Sequence, residues 1–261
     1  MKKSSPLLFA LLFGLLACND ASTPDPAADG WVLAAILHES GDQQWQETFE
    51  YDNNGRLISR EDERTAGHRI TYQYEGDLLV ERQTIDPSNG TLIFRDSITY
   101  NAQNLIDRVY RFSINQGNQV PLSDIRNYRY NAQGQLAEVS TEYVNLSDYQ
   151  PRHVYHWQDG NVVQVDRFNG DCPMIEFYYT YDKQPVVFFE GWNGLDTPEV
   201  KTRNNIISTD WTDFTGLLDT ACKPCTQTFS YFPNGLPRSV SFNWDYSMHF
   251  SYITVPEKVA D

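Results

Sequence analysis

A repeated short stretch constrains the fold of this chain more than any other feature of its sequence. The stretch FEYDNNGRL recurs six more times in altered form, and the anchoring aromatics lie 23, 26, 30, 27, 24 and 50 residues apart. A period in this range indicates one supersecondary unit whose neighbouring copies share a core. The last gap is about two periods, so we interpret TRNNIIS (202–208) as a degenerate copy and FSYI (250–253) as a closing strand. The seven copies are FEYDNNGRL (49–57), YQYEGDLL (72–79), ITYNAQNL (98–105), YRYNAQGQL (128–136), YHWQDGNV (155–162), YTYDKQPV (179–186) and FSYFPNGL (229–236).

Each copy has the pattern of a β-hairpin. Aromatics such as Tyr72 and Tyr74 are two residues apart, which places both on one face of a strand. Residues that tolerate positive φ follow, such as the Asn-Gly pair at 54–55, and Asn104 stands in the glycine position of the third copy. The sixth copy has Pro185 and no turn glycine, which predicts a different turn or a strand at a sheet edge. After the turn an apolar residue resumes the core face, namely Leu57, Leu78, Leu105, Leu136, Val162 and Leu236.

These hairpins predict an all-β fold, an antiparallel meander of repeated hairpins that forms one curled sheet. The aromatic face of this sheet has to be covered. The one helical candidate, around Trp211 and Leu218, is short, so we expect the sheet to cover itself by twisting. A half-barrel, a closed barrel and a spiral all meet this requirement, and the sequence does not choose among them.

The N-terminus has the features of an export signal. Lys2 and Lys3 precede an apolar run, Leu7–Leu16, which is too short to span a bilayer as a helix. The run ends in Leu-Leu-Ala-Cys, which resembles the bacterial lipobox, where the cysteine receives lipid and becomes the new N-terminus. We therefore predict lipid attachment at Cys18. The predicted parts of the chain are a lipoprotein signal peptide (1–17), a flexible tether (18–30) and a β-repeat domain (31–261) with a divergent insertion around 188–225.

The charge balance excludes several classes of partner. Removal of the signal takes away Lys2 and Lys3, which leaves 18 basic against 35 acidic side chains and a net charge of −17. Nucleic acids and anionic lipid surfaces are recognised by basic patches, so we expect neither as a partner. We expect the protein to reach the membrane through its N-terminal lipid, in the cell envelope and at the outer membrane.

The first copy resembles the repeat core of the YD, or Rhs, family, whose copies commonly read Tyr-x-Tyr-Asp-x-x-Gly-Arg-Leu. The similarity extends in weaker form over roughly residues 31–255. In large family members the repeats build a β-shell around a toxin domain, whereas this chain is short and shows no toxin-like tail. It also resembles small repeat-bearing lipoproteins of Bacteroidota-type bacteria. That resemblance implies a lipid anchor and a β-fold, and it is silent on activity.

Three cysteines follow the predicted anchor, Cys172, Cys222 and Cys225. In an exported protein we expect one disulfide, which joins either Cys172 to one of the other two or Cys222 to Cys225. Cys222 and Cys225 have the C-x-x-C spacing of redox motifs, but the βαβ setting of such motifs is missing. The five histidines have no metal-ligand spacing, so we expect no metal and no cofactor.

The remaining functional signal is aromatic. Trp192 and Trp211 lie in the least repetitive segment, where they can either stack on a ligand such as a sugar or plug the end of the curled sheet. The sequence has no nucleophile elbow and no phosphate-binding glycine loop, so an enzyme is not the favoured interpretation. We predict a lipid-anchored envelope protein that acts as a binding or structural module, with a glycan or a protein as partner. The alternatives are a glycan-active enzyme and a shell-like cover for a partner protein.

Overall fold

The computed structural model describes residues 31–64, 67–113, 121–146, 148–185, 203–215 and 225–254. Within these ranges the chain is all-β, as predicted, and no helix there has the length and apolar character that a membrane crossing needs. The strands are β1 (Trp31–Ser40), β2 (Gln43–Tyr51), β3 (Leu57–Asp62), β4 (Arg69–Glu75), β5 (Leu78–Asp86), β6 (Thr91–Tyr100), β7 (Ile106–Ser113), β8 (Leu122–Tyr130), β9 (Leu136–Tyr143), β10 (Pro151–Gln158), β11 (Asn161–Asn169), β12 (Cys172–Pro185), β13 (Asn204–Asp213), β14 (Cys225–Tyr231), β15 (Pro237–Phe242) and β16 (Tyr246–Thr254).

The strands form one closed antiparallel barrel, in which each strand pairs with the next and β16 pairs with β1. The predicted meander is confirmed, and of the three curled forms considered the chain adopts the closed barrel. The closing pair runs from Trp31 opposite Thr254 to Ser40 opposite Tyr246. Closure removes both sheet edges, whose unpaired N–H and C=O groups would otherwise be exposed to other chains.

The two ends of the barrel carry different connections. The short turns within the repeats lie at one end, which we call the turn end. At the turn end β1 also begins at Trp31 and β16 ends at Thr254. The connections between repeats lie at the opposite end, which we call the loop end. The chain therefore enters and leaves the barrel at its turn end.

The described residues of the 50-residue gap between the last two repeats form one hairpin, β12 with β13, so the prediction of an additional copy at 202–208 is wrong. The described residues of that segment begin β13, which pairs with β12 as the second strand of the sixth hairpin. The gap is long because the connections on both sides of β13 are long. The edge position considered for Pro185 is also wrong, because β12 lies between β11 and β13 and Pro185 is opposite Asn204.

An eighth hairpin closes the barrel without a covalent turn. The predicted closing strand FSYI is confirmed as part of β16, where Phe250 and Tyr252 are spaced like the aromatic pair of a repeat. On β1, the buried Leu33 takes the place of the apolar residue that follows a turn, with a register shift between Leu33 and Ala35. The two strands come from opposite ends of the domain. The barrel is therefore complete only when residues more than 200 positions apart are paired.

Side chains alternate across the barrel wall between a mostly polar exterior and an interior that holds the apolar core together with a few buried charged and polar groups. The inward tyrosines and aliphatic residues form two core clusters, one on β6–β13 and the other on β1–β4 with β15 and β16. Val109, Val162 and Val240 in these clusters are 0% exposed. The outward side chains are mostly polar, as on β2, where they are Gln44, Gln46, Thr48 and Glu50.

The core position after the turn is shifted in two copies. Leu78 does not face the core as predicted, because it lies opposite the exposed Glu75, whereas the next residue, Leu79, packs in the core. In the third copy Ile106, and not Leu105, is the strand residue that packs against the core. In both copies the core residue is the one that pairs with the anchoring aromatic, Leu79 with Tyr74 and Ile106 with Tyr100, and each lies one residue further along the chain than the predicted position.

The turns have the predicted backbone conformation and an additional side-chain cap. Gly55 has a φ of 75° and Asn104 a φ of 57°, so asparagine does take the glycine position in the third copy. The residue after the anchoring aromatic caps the turn, since Asp52 Oδ1 accepts hydrogen bonds from the backbone N–H groups of Asn54 and Arg56 at 2.8 and 2.9 Å. The same two contacts are made in the third and fourth copies by Asn101 and Asn131.

The second aromatic of most hairpins binds the backbone of the preceding hairpin. The Tyr100 hydroxyl donates a hydrogen bond of 2.7 Å to the Leu79 carbonyl. Towards the turn, Glu81 is the last β5 residue that pairs with β6, and Leu79 lies two residues past it. The aromatic ring packs in the core while its polar tip satisfies a carbonyl that the strand ladder leaves open. Repeats are therefore joined through side chains as well as through strands. The same contact, at 2.5 to 2.9 Å, runs from Tyr74 to Leu57, Trp157 to Leu136, Tyr181 to Val162 and Tyr252 to Pro237.

Tyr231 makes a different contact, beside the divergent segment. Its hydroxyl donates to Asp182 Oδ2 and accepts a hydrogen bond of 3.0 Å from Asn205 Nδ2. Asp182 also accepts from the backbone N–H groups of Gln184 and Asn205. Burial and the nearby Asp182 raise the pKa of Tyr231. A side-chain network thus connects β12, β13 and β14 where the sequence repeat is weakest.

One buried carboxylate lies between two arginines inside the barrel. Asp96 is 2% exposed and lies opposite Arg82 on β5 and Arg111 on β7. Arg82 donates to Oδ2 at 3.0 and 2.8 Å, and Arg111 donates to Oδ1 at 2.7 Å and to Oδ2 at 2.9 Å. Burial alone would raise the pKa of Asp96, but the two guanidinium groups outweigh burial and hold the pKa below its ordinary value.

Candidate binding groove

A shallow groove lies at the loop end, across the seam where β1 meets β16. Its volume is about 370 Å³, within the range of about 300–1,000 Å³ that is common for small-ligand sites. The β1–β2 and β15–β16 hairpins supply its walls, so the first and last strands of the barrel build it together. We call it the seam groove, and its lining residues are Glu39, Gly41, Gln44, Ser241, Phe242, Asp245, Tyr246 and Ser247.

A row of polar side chains crosses the seam on the outer face of the barrel. Gln44, Glu39, Ser247 and Ser241 lie opposite one another on β2, β1, β16 and β15. Glu39 accepts from Gln44 Nε2 at 2.7 Å and from Ser247 Oγ at 3.2 Å, and its Oε2 lies 3.0 Å from His249 Nε2. The hydrogen bond with His249 is the main cause that holds the pKa of Glu39 below its usual value. An ionised carboxylate therefore stands in the middle of the row.

Aromatic rings lie on the inner side of the barrel wall behind the seam groove. The rings of Phe242 and Tyr246 are 5.1 Å apart, and Trp244 packs on Phe242 with 4.6 Å between ring centroids. Trp244 is 43% exposed in the β15–β16 turn.

A stack of rings inside the barrel supports Tyr246. The His38 ring lies 5.0 Å from Trp45 and 6.0 Å from Tyr246, and His38 Nδ1 shares a hydrogen bond of 2.6 Å with the Tyr246 hydroxyl. Burial lowers the pKa of His38, and Glu47, at 3.7 Å, opposes this effect without reversing it. Burial also raises the pKa of Tyr246 to about 12. Both rings are therefore neutral near pH 7.

The groove presents hydrogen-bond acceptors and hydroxyl groups but no strong cation. Among the described residues that line it, none is lysine or arginine, and the two formal charges belong to Glu39 and Asp245. A ligand with its own negative charge would be repelled by these carboxylates without a compensating partner in the lining. The electrostatics of the groove disfavour anionic ligands.

The two tryptophans that were considered for ligand stacking, Trp192 and Trp211, have different outcomes in the structure. Trp211 lies on β13 opposite Phe177, on the inner side of the wall, and is 7% exposed. This burial fits the packing alternative and leaves no ring face available to a ligand. Trp192 lies outside the described residues, as does the predicted lipid-attachment residue Cys18, so both stay predictions.

The strand register narrows the disulfide alternatives. Cys172 is exposed at the start of β12, and Cys225 lies opposite Thr209, which in turn lies opposite Tyr179 on β12. Cys172 precedes Tyr179 by seven residues, or about 23 Å at 3.3 Å per residue. A disulfide needs Cα atoms within about 7 Å, so the register keeps Cys172 and Cys225 apart. Cys222 lies outside the described residues, and its pairing with either cysteine stays a prediction.

The sequence interpretation did not find the residues of the seam groove. Glu39 and Ser247 are 208 positions apart and lie beside each other only because the barrel closes. One local signal was available, since the Gly-Asp pair at 41–42 predicts a tight hairpin that brings Glu39 and Gln44 together.

Comparison with known proteins supports the fold. No family model matches the chain, and no curated protein is similar to it. Among solved structures, it is similar to a porin-like protein from Bacteroides uniformis, with 10% identity and a TM-score of 0.56 over 88% of this chain and 99% of that one. A porin-like protein from Bacteroides vulgatus (12% identity, TM-score 0.41, 85% and 98% of the two chains) and the TcdB2-TccC3-Cdc42 complex (12%, 0.35, 76% and 12%) are also similar. At such identity the likeness to the Bacteroides uniformis protein shows a common all-β fold and no common activity.

Proposed function

We propose that this protein is a lipid-anchored binding module of the cell envelope. The observation that carries the proposal is that the chain enters the barrel at one end and the groove lies at the other. The chain enters the barrel at Trp31 on the turn end, whereas the seam groove is built at the loop end. Strands of nine or ten residues such as β1 and β2 separate the two ends by about 30 Å. A lipid on Cys18 would therefore tether the barrel by the end opposite the groove.

The outer wall supports attachment by a lipid rather than by insertion of the barrel. A barrel that spans a membrane turns an apolar band outward and a polar surface inward. Here the pattern is reversed, because Tyr72, Tyr128 and Tyr155 are buried inside, while outward positions carry residues such as Glu50 and Arg69. This arrangement favours a barrel that stands in water beside the membrane.

Two observations favour binding over the alternatives. A glycosidase needs a carboxylic acid whose pKa is raised, whereas the contacts of Glu39 lower its pKa. A cover for a partner protein needs an uncovered inner face, whereas the inward tyrosines of the described strands are packed in two cores. Among the described residues the seam groove is an open concave surface lined mainly by polar side chains.

The anchor can be tested by fractionation of cells that express the full-length chain. We expect the parent protein to incorporate labelled palmitate and to sediment with the outer membrane. The Cys18→Ala variant is expected to lose the label and the sedimentation, and Cys172→Ala, which removes an exposed cysteine of the barrel, serves as the matched control. An unlabelled Cys18→Ala protein that still sediments with the outer membrane would show that the barrel, and not a lipid, makes the attachment.

A further inference from the structure

We propose that the turn end of the barrel docks on the lipid bilayer through Trp31, Phe232 and Ile253, which we call the rim patch. This inference rests on the proposed lipid anchor and names the surface that turns toward the membrane. It is carried by a departure from the repeat in the two hairpins that lie beside the point where the chain enters the barrel.

One position of the repeat is polar in six hairpins and apolar in two. It is the residue that follows the anchoring aromatic. In the seventh hairpin it is Phe232, whose backbone N–H donates to the Leu236 carbonyl as that of Asp52 donates to the Arg56 carbonyl. In the eighth hairpin, which is adjacent, it is Ile253. Neither apolar side chain can cap a turn as Asp52 does, so the exchange has no purpose within the hairpin. The six polar residues are Asp52, Glu75, Asn101, Asn131, Gln158 and Asp182.

The rim patch is exposed although its side chains are large and apolar. Its three residues are between 36 and 48% exposed. The Phe232 ring meets Tyr252 edge-on at 6.2 Å, next to Ile253, and Ile253 lies opposite Val32, next to Trp31. Because side chains alternate along a strand, Ile253 and Trp31 lie on the outer and inner lips of the rim. A flat bilayer meets both lips at once, and its interface is a preferred environment for aromatic rings.

The predicted anchor holds this end of the barrel close to the bilayer. Twelve residues, 19–30, separate Cys18 from Trp31, and a flexible chain of this length spans about 20 Å. The loop end also exposes apolar side chains, at Val144, Leu146 and Trp244, but it lies about 30 Å farther along the barrel. Of these apolar surfaces, the rim patch is therefore the one that the tether holds beside the lipid.

The charges around the rim patch permit close approach to a bilayer. The turn at 232–235 has no charged residue, and Asp52 in the β2–β3 turn is paired with Arg56 at 2.6 Å. The exposed guanidinium group of Arg238 lies 6.0 Å from the centre of the Phe232 ring, and such a group is suited to a lipid phosphate. The chain as a whole has a net charge of −17 without its signal, so the bilayer we expect is zwitterionic rather than anionic.

The experiment is fluorescence quenching of the full-length lipidated protein in phosphatidylcholine vesicles. One set of vesicles has bromine atoms near the top of an acyl chain, because bromine quenches tryptophans that contact the lipid. We expect the brominated vesicles to quench the parent protein and Trp31→Phe to reduce this quenching at least threefold. Trp244→Phe, which changes an exposed tryptophan at the loop end, is the matched control and should be quenched like the parent.

A double variant separates docking from proximity. Phe232→Ser with Ile253→Ser keeps Trp31 as the reporter on the same tether, and we expect its quenching to fall at least twofold. Unchanged quenching would mean that the tether alone brings Trp31 to the lipid, which overturns the inference.

Two other results would also overturn it. One is quenching of the parent that persists in Trp31→Phe. The other is a change in emission that follows the protein-to-lipid ratio instead of bromination, which would assign the rim patch to a second copy of the chain. Flotation of the same vesicles tests the anchor separately, because a protein that floats through Cys18 but shows no bromine-dependent quenching refutes the docking alone.

Discussion

Replacement of Asp96 by asparagine tests how much of the barrel's stability depends on its buried charges. The substitution keeps the shape of the side chain but removes the charge between Arg82 and Arg111, which together donate four hydrogen bonds to it. Breaking a buried ion pair by removing one partner typically costs about 3–5 kcal/mol. The side chains of Arg82 and Arg111 keep 12% and 25% exposure, and partial hydration relieves part of the cost. We therefore expect Asp96→Asn to lower the free energy of unfolding by about 3 kcal/mol.

The assay is urea unfolding followed by tryptophan fluorescence at pH 7, with Asp107→Asn as the control. Asp107 also faces an arginine, Arg108 at 3.8 Å, but both side chains are about half exposed, so the control should unfold like the parent. A loss below about 1 kcal/mol in Asp96→Asn would refute the reasoning, because it would mean that the two arginines are adequately solvated without the carboxylate.

The pH dependence of the difference in unfolding free energy between the parent and Asp96→Asn gives an independent check. The folded protein holds the pKa of Asp96 below its ordinary value, so the stabilisation is complete above the unfolded-state pKa of about 3.9. It is lost as the pH falls through the lower folded-state pKa, because protonation then removes the charge in both states. The gap in unfolding free energy between parent and Asp96→Asn should therefore be constant from pH 5 to 7 and shrink below pH 4. A gap that grows as the pH falls would contradict this assignment.

Three further substitutions test the repeat. Tyr100→Phe removes the hydrogen bond to the Leu79 carbonyl and should cost about 1–2 kcal/mol in urea unfolding; no loss would mean that water replaces the hydroxyl. At Asn104, with its φ of 57°, glycine should preserve or raise the thermal midpoint and alanine should lower it, whereas equal midpoints would argue against backbone strain. Leu136→Ala, at a site 3% exposed, should cost about 2–5 kcal/mol by calorimetry, and a smaller loss would indicate that the core collapses around the cavity.

The hairpin units could be predicted because their signals are local. Residues two apart share a strand face and a turn needs positive φ whatever the rest of the chain does, so copies such as 49–57 and 128–136 fold as predicted. The errors concern quantities that are not local. The number of hairpins between Tyr181 and Tyr231 was overestimated, because the residue spacing does not distinguish a long connection from an additional pair of strands. Leu78 was assigned to the core because the pattern places an apolar residue after the turn but does not show which residue pairs with Tyr74, and a position one residue away faces the other side of the wall.

The candidate site lay beyond reach of the sequence for the same reason. Glu39 and Gln44 are neighbours through a hairpin and could have been grouped, but Ser241 and Ser247 join them only through the pairing of β16 with β1. Trp211 was considered for a ligand because it interrupts the repeat, yet the alternation along β13 turns it inward. The sequence shows that a tryptophan is present, but the strand register decides whether its ring is buried or exposed.

By itself the sequence determined the unit of this protein, which is a hairpin with two aromatics before a tight turn of positive φ and an apolar residue after it. Those features follow from local backbone sterics and from the two-residue period of a strand. Only the tertiary structure decided that the hairpins close, that β16 and β1 form the eighth unit, and that a groove opens across their seam. Closure depends on the twist accumulated over sixteen strands, and such a sum is a property of the whole sheet that no single repeat encodes.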